Sequence, residues 1–241
     1  MASLINRRIG NWFKGSFRPD SYKPLSDEIY QMFKSKGEGL YYSCIKSEDN
    51  NFVSRAIPHI TELYNKPGKE DIHLSHCVAI FYSEKLKSHF TPNEWYIITK
   101  SWNNFYGNSY PLDDSIKVLV MASADDNGMN YFNFSQYQNR DFSLRKVELP
   151  ESGKYKVIRF LVSIAPLYYD YTGLVFWWLY RLCSWFKFLD DPESLYCSEN
   201  MYEAFKCANF KIADNDEPSP LDIENYNLNL RFYTTPNFLN K

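Results

Sequence analysis

Two residues in this sequence combine a reactive type with a setting that would activate it, Cys197 and His76. Cys197 lies in Leu195-Tyr196-Cys197-Ser198-Glu199-Asn200-Met201-Tyr202-Glu203-Ala204-Phe205, just after the polar, proline-bearing stop Asp190-Asp191-Pro192-Glu193-Ser194. Met201, Phe205 and Ala208 recur at helical spacing, which predicts a helix with Cys197 in its first turn. There, unpaired backbone N–H groups and the positive end of the helix dipole favour a thiolate over a thiol. The same N–H groups suit a developing oxyanion. Such a thiol becomes a nucleophile when the fold brings it a histidine. The alternative is a small buried apolar residue, as most free cysteines are.

His76 sits near the start of Ile72-His73-Leu74-Ser75-His76-Cys77-Val78-Ala79-Ile80-Phe81-Tyr82, whose β-branched, apolar and aromatic content predicts a central strand. It reads either as the general base for Cys197 or as a satisfied structural histidine.

The elements that must position this pair follow from the chain in order. Residues 1–36 form an N-terminal arm, in which Ile5, Ile9, Trp12 and Phe13 oppose Arg7, Arg8 and Lys14. This arm either packs on the domain or docks on a membrane surface or partner. Ser26 caps a short helix that Gly37 and Gly39 stop. Gly39 to Ile45 predicts a strand, and Phe52 to Tyr64 a helix ended by Pro67-Gly68. Residues 83–114 are charged, aromatic and turn-rich, long for a connection, and read as an insertion. Strands are expected at 116–121, 129–134 and 154–162, with a hairpin turn at Asp125-Asp126-Asn127-Gly128. The apolar stretch around Leu174-Val175-Phe176-Trp177-Trp178-Leu179-Tyr180 is broken by Asp170, Arg181 and Lys187. It falls short of the roughly 20 residues a bilayer span needs, leaving a buried helix or an interfacial one carrying Trp177, Trp178 and Trp185. The tail from Leu221 suits an edge strand or coil.

Composition narrows the function. With 241 residues the chain can bury a sizeable core, and 44% hydrophobic with 23% charged residues are globular values. A net charge of −2 argues against non-specific nucleic-acid binding. Cysteines 44, 77, 183, 197 and 207 are odd in number and lack the close pairs of a zinc or redox site, so they read as free thiols made in a reducing cytoplasm. No phosphate-binding glycine loop is present, so no cofactor or metal is expected. The first residues lack the apolar run and cleavage site of a secretory signal.

Three segments together carry a family resemblance: Ser75-His76-Cys77-Val78-Ala79-Ile80, Tyr169-Asp170-Tyr171-Thr172-Gly173-Leu174, and Tyr196-Cys197-Ser198-Glu199. In this order they resemble the circularly permuted papain-like cysteine enzymes, the permuted branch of the NlpC-like superfamily. The resemblance covers roughly residues 37–225. Weaker matches accompany it at Ser54-Arg55-Ala56-Ile57, Val157-Ile158-Arg159 and Ser219-Pro220-Leu221-Asp222. It implies an α+β domain over 37–241, an antiparallel sheet of 72–82, 116–121, 129–134 and 155–162 with the nucleophile at the N-terminus of a packed helix. It makes Cys197 the nucleophile and His76 its base, with Asp170 and Glu199 structural. The family's strand glutamate, which orients the imidazole, has no counterpart in Val120-Met121-Ala122-Ser123-Ala124, leaving Ser123, Asp125, a carbonyl or a water for that role.

The activity so implied is thiol hydrolysis of amide bonds through a thioester, on bacterial cell-wall peptides. A chain poor in glycine and rich in aromatic residues, Asn and Lys suits a phage-borne wall enzyme carried in a virion. The rival readings are a lipid-acting acyl hydrolase or transferase, served by the tryptophan-rich stretch, and a non-catalytic component of a larger assembly. In the last case residues 1–36 and 83–114 would be the contact surfaces.

Overall fold

The structure is a computed structural model that describes residues 22–46, 74–125, 128–165, 168–169, 194–195, 197–216 and 218–239. The arm up to residue 21, the expected helix at 52–64, the tryptophan-rich stretch, Asp170 and Cys183 lie outside the described residues, as do the side chains of Ser123 and Asp125.

Ser26 caps helix α1 (Asp27–Lys36) by accepting the Ile29 N–H, and Gly37 ends it at a positive φ of 82°. Strand β1 (Gly39–Lys46) follows, then β2 (Leu74–Tyr82). A turn of 3₁₀ helix (Leu86–His89) leads to α2 (Pro92–Tyr106). Strands β3 (Val118–Asp125), β4 (Gly128–Asn133) and β5 (Phe142–Lys146) come next, then α3 (Glu151–Ser163). A two-residue parallel pair, β6 (Tyr168–Tyr169) with β7 (Ser194–Leu195), precedes α4 (Cys197–Lys206). Helix α5 (Pro220–Asn225) and strand β8 (Arg231–Thr234) finish the described chain.

Six strands form one antiparallel sheet in the order β4-β3-β2-β1-β5-β8. Strand alternation gives it two apolar faces. Leu40, Tyr42, Cys44, Cys77, Ala79, Phe81, Leu119 and Met121 face one side, under α2, α3, α4 and α5. Tyr41, Ile45, Val78, Ile80, Val120, Phe132 and Leu144 face the other, under α1 and Tyr137. The molecule is thus α+β in class, with an antiparallel sheet covered by helices. Among the described residues no helix is long and apolar enough to cross a membrane.

One sequence expectation about the elements is corrected. Residues 151–163, expected to supply a strand at 155–162, are helix α3. The run Lys154 to Val162 alternates like a strand, but Val157, Ile158, Leu161 and Val162 also fall on one helical stripe, and the core takes up that stripe. The stretch 83–114, long for a connection, holds α2, which packs Ile98 and Trp102 into the core. Its start is a capping box: Thr91 accepts the Glu94 N–H, and the Glu94 carboxylate accepts the Thr91 N–H at 2.8 Å.

Buried polar groups are tied into the frame. Arg145, fully buried on β5, donates to both carboxylate oxygens of Glu224 on α5, each at 2.7 Å, and to the Glu224 carbonyl at 2.7 Å. Ser143 donates to Glu224 Oε2, and Arg231 reaches Oε1 at 3.0 Å. Burial alone would lower the Arg145 pKa, yet the Glu224 carboxylate raises it and keeps the guanidinium charged. At the far end of β2, His89 bridges Ser83 (2.9 Å) and Tyr155 of α3 (3.0 Å). Ser83 is fully buried and also accepts the Lys85 N–H, so this chain of bonds fastens helix to sheet.

Candidate active site around Cys197

Cys197 is the first residue of α4, as the sequence predicts, and only 3% of it is exposed. Helix α4 buries Met201, Tyr202, Ala204 and Phe205 against the sheet, and this stripe fixes which way its first turn points. Strand β3 pairs with β2 only from Ala79 to Tyr82 and continues with β4, while among the described residues β2 runs on to Leu74 with β1 as its one strand neighbour. The Cys77 N–H on this side of β2 faces the Cys197 sulfur and favours its thiolate.

Burial dominates the electrostatics of the sulfur and pushes the Cys197 thiol up to about 11. The N–H groups of Cys77, Ser198 and Cys197 itself pull the other way, as the helix start requires. Its neighbours on this face are thiols. Cys44 and Cys77 lie opposite each other in the ladder, with their sulfurs 3.3 Å apart and each 3.8 Å from the Pro220 carbonyl oxygen. Burial raises both of their pKa values, that of Cys77 well above the ordinary thiol range.

His76 does not share that face. It pairs with Ile45, and its ring lies 6.0 Å from that of Tyr137, on the α1 side of the sheet. Burial, with the Arg140 charge beside it, pushes the imidazole down to about 3, so it is neutral at physiological pH. The side is decided by an irregularity in the ladder. Ile45 pairs with His76 but Lys46 pairs with Leu74, leaving residue 75 unopposed. This is a β-bulge, and one extra residue reverses the face of everything on one side of it.

The structure therefore brings Cys197 to the strand that carries His76, but next to Cys77. The thiol pair Cys44–Cys77 escaped the sequence reading because the two residues are far apart in the chain and only the β1–β2 register joins them. Cys207 is exposed in the turn after α4. Among the described residues no group of three metal-ligating side chains occurs. In comparison with known proteins, no family model matches the chain, and no curated protein matches it significantly.

Proposed function

We propose that the protein is a cysteine hydrolase of amide bonds with a permuted papain-like architecture, in which Cys197 is the nucleophile, His76 its base and bacterial cell-wall peptides the substrate. One observation carries the reading. The Cys197 sulfur lies at a helix N-terminus against the backbone of Cys77, one residue from His76. In the reaction the sulfur attacks the amide carbonyl, and the imidazole takes the thiol proton and passes it to the leaving amine. Water then cleaves the thioester, with the same imidazole as base. The Cys197 N–H at the helix start would receive the oxyanion. The substrate class rests on the resemblance of the Ser75-His76, Tyr169-Asp170 and Cys197-Ser198-Glu199 segments.

Catalysis on this scheme requires His76 to reach the Cys197 side, and a local change suffices. If the unopposed residue of the bulge passes from 75 to 77, His76 comes opposite Cys44. The pairs Lys46–Leu74 and Ser43–Val78 on either side keep their places. On this scheme the register seen here holds the base away from the nucleophile, and substrate binding would have to select the other one.

A second reading, a non-catalytic component of an assembly, is favoured by His76 facing Tyr137 and by the high pKa of the Cys197 thiol. Incubation of the wild-type and Cys197→Ser proteins with purified wall fragments and with a lipid ester separates the readings by product mass. Peptide or amine released from wall fragments by the wild type alone supports the hydrolase. Products from the lipid ester alone move the substrate to acyl lipids. No product from either, with the fold intact, leaves the non-catalytic reading.

A further inference from the structure

We infer that Cys44 and Cys77 are a redox site that closes to a reversible cross-strand disulfide and fixes the register of β2 beside His76. The geometry begins with the backbone. Leu40 and Lys46 bond through their backbones to β5, Leu40 accepting from Val147 and Lys46 donating to Asp141. Cys44 has the same parity, so its backbone is turned to β5 and away from β2. The Cys77 N–H is likewise turned away from β1, toward the Cys197 sulfur. Cys44 and Cys77 are thus a non-hydrogen-bonded pair, the kind whose Cα atoms approach to about 4.5 Å and whose side chains lie closest. That separation is within the range, roughly 4.4 to 6.8 Å, that disulfides span. The sulfurs already sit at 3.3 Å and share one acceptor, the Pro220 carbonyl, so no third group must leave from between them.

The oxidant named by this chemistry is a peroxide. One thiolate attacks a peroxide oxygen, giving a sulfenic acid and, with a proton, water. The second sulfur displaces the hydroxyl as another water, forming the S–S bond, so each thiol gives up one hydrogen and hydrogen peroxide becomes two waters. Burial keeps both thiols protonated and makes the first attack slow at neutral pH.

The consequence for the site rests on the hydrolase reading. A bond between Cys44 and Cys77 holds Cys77 opposite Cys44, the place that His76 must take to reach Cys197. Oxidation therefore locks the base on the Tyr137 face, and a dithiol reductant releases it.

The test is treatment of the full chain with hydrogen peroxide, followed by peptide mapping by mass without reduction. The expected result is a Cys44 peptide joined to the Cys77 peptide with loss of two hydrogens, reversed by dithiothreitol and absent from a folded Cys44→Ser variant. Oxygen added to separate cysteines, or links made only between Cys77 and Cys197 or between Cys207 of two molecules, overturns it. In the cross-linked protein, alkylation of Cys197 at neutral pH is expected to slow by about tenfold, the effect of one unit of thiol pKa. An unchanged rate overturns the lock. Because the link is read by mass, its failure is distinct from failure of the hydrolase reading, which shows as a Cys197 indifferent to His76 in the reduced protein.

Discussion

The backbone N–H of Cys77 faces the sulfur of Cys197 and favours its thiolate, where the first turn of α4 meets β2 beyond the end of its pairing with β3. A nucleophile-type helix start and a histidine-bearing strand are thereby joined, while the bulge at residue 75 turns the histidine itself to the other face.

That placement gives His76 a signature in stability against pH. Its folded pKa of about 3 lies below the ordinary value of 6.5, so between these limits the unfolded chain binds the extra proton. Stability from this group is whole above pH 6.5 and declines as pH falls toward 3, by about 1.4 kcal/mol per pH unit in the middle of the window. Urea unfolding at pH 7, 6, 5 and 4 should show this slope in the wild type and a shallower one in His76→Gln. Parallel slopes would mean the imidazole is not buried as described.

The Arg145–Glu224 pair makes a second prediction. Glu224→Gln leaves a fully buried guanidinium without its carboxylate, and such a change costs about 3–5 kcal/mol. Chemical denaturation should report a loss of that order. A loss below about 1 kcal/mol, typical of exposed pairs, would show that water reaches the site.

Thr91→Ala removes the hydroxyl that caps α2 and should lower stability by about 1 kcal/mol. Thr91→Ser, which keeps the hydroxyl, should restore most of it, as thermal melts of the two variants will show.

Thiol reactivity should rank by exposure among the described cysteines. Cys207, exposed, is expected to be alkylated first at neutral pH, and Cys44 and Cys77, fully buried, last. Time-resolved mapping with iodoacetamide measures this order, and Cys207→Ser removes the fast phase. A Cys44 or Cys77 that reacts as fast as Cys207 would contradict the packing of β1 on β2.

Much of this architecture was legible in local patterns. Ser26 and Gly37 bound α1, and Asp125 to Gly128 mark the β3–β4 hairpin, because caps and turns write themselves in short residue strings. The first turn of α4 was equally plain from Met201 and Phe205. Helix α2 was also legible, since Thr91-Pro92-Asn93-Glu94 spells a capping box, but the charged and aromatic run around it drew the reading toward a loop. Residues 154–162 satisfy both a two-residue and a helical period, and only packing against the sheet selects the helix. Strand β5 was hidden by Ser143 and Arg145, polar residues on a buried face whose partner Glu224 lies far along the chain. The face of His76 was hidden most deeply. A bulge leaves no mark in composition, yet it decides whether the imidazole meets Cys197 or Tyr137.

The central claim, that Cys197 and His76 work as a pair, is tested most directly by the alkylation rate of Cys197 in the reduced Cys207→Ser protein, with and without His76→Asn. A thiol of pKa about 11 holds only about one part in ten thousand as thiolate at pH 7, so on the proposed scheme reaction at that pH would run through the register that brings His76 across. The account predicts that His76→Asn slows the reaction at pH 7 by tenfold or more, leaves the rate near pH 10 little changed and does not unfold the protein. Equal rates with and without His76 at pH 7 would contradict it and leave Cys197 as a buried thiol of a non-catalytic protein.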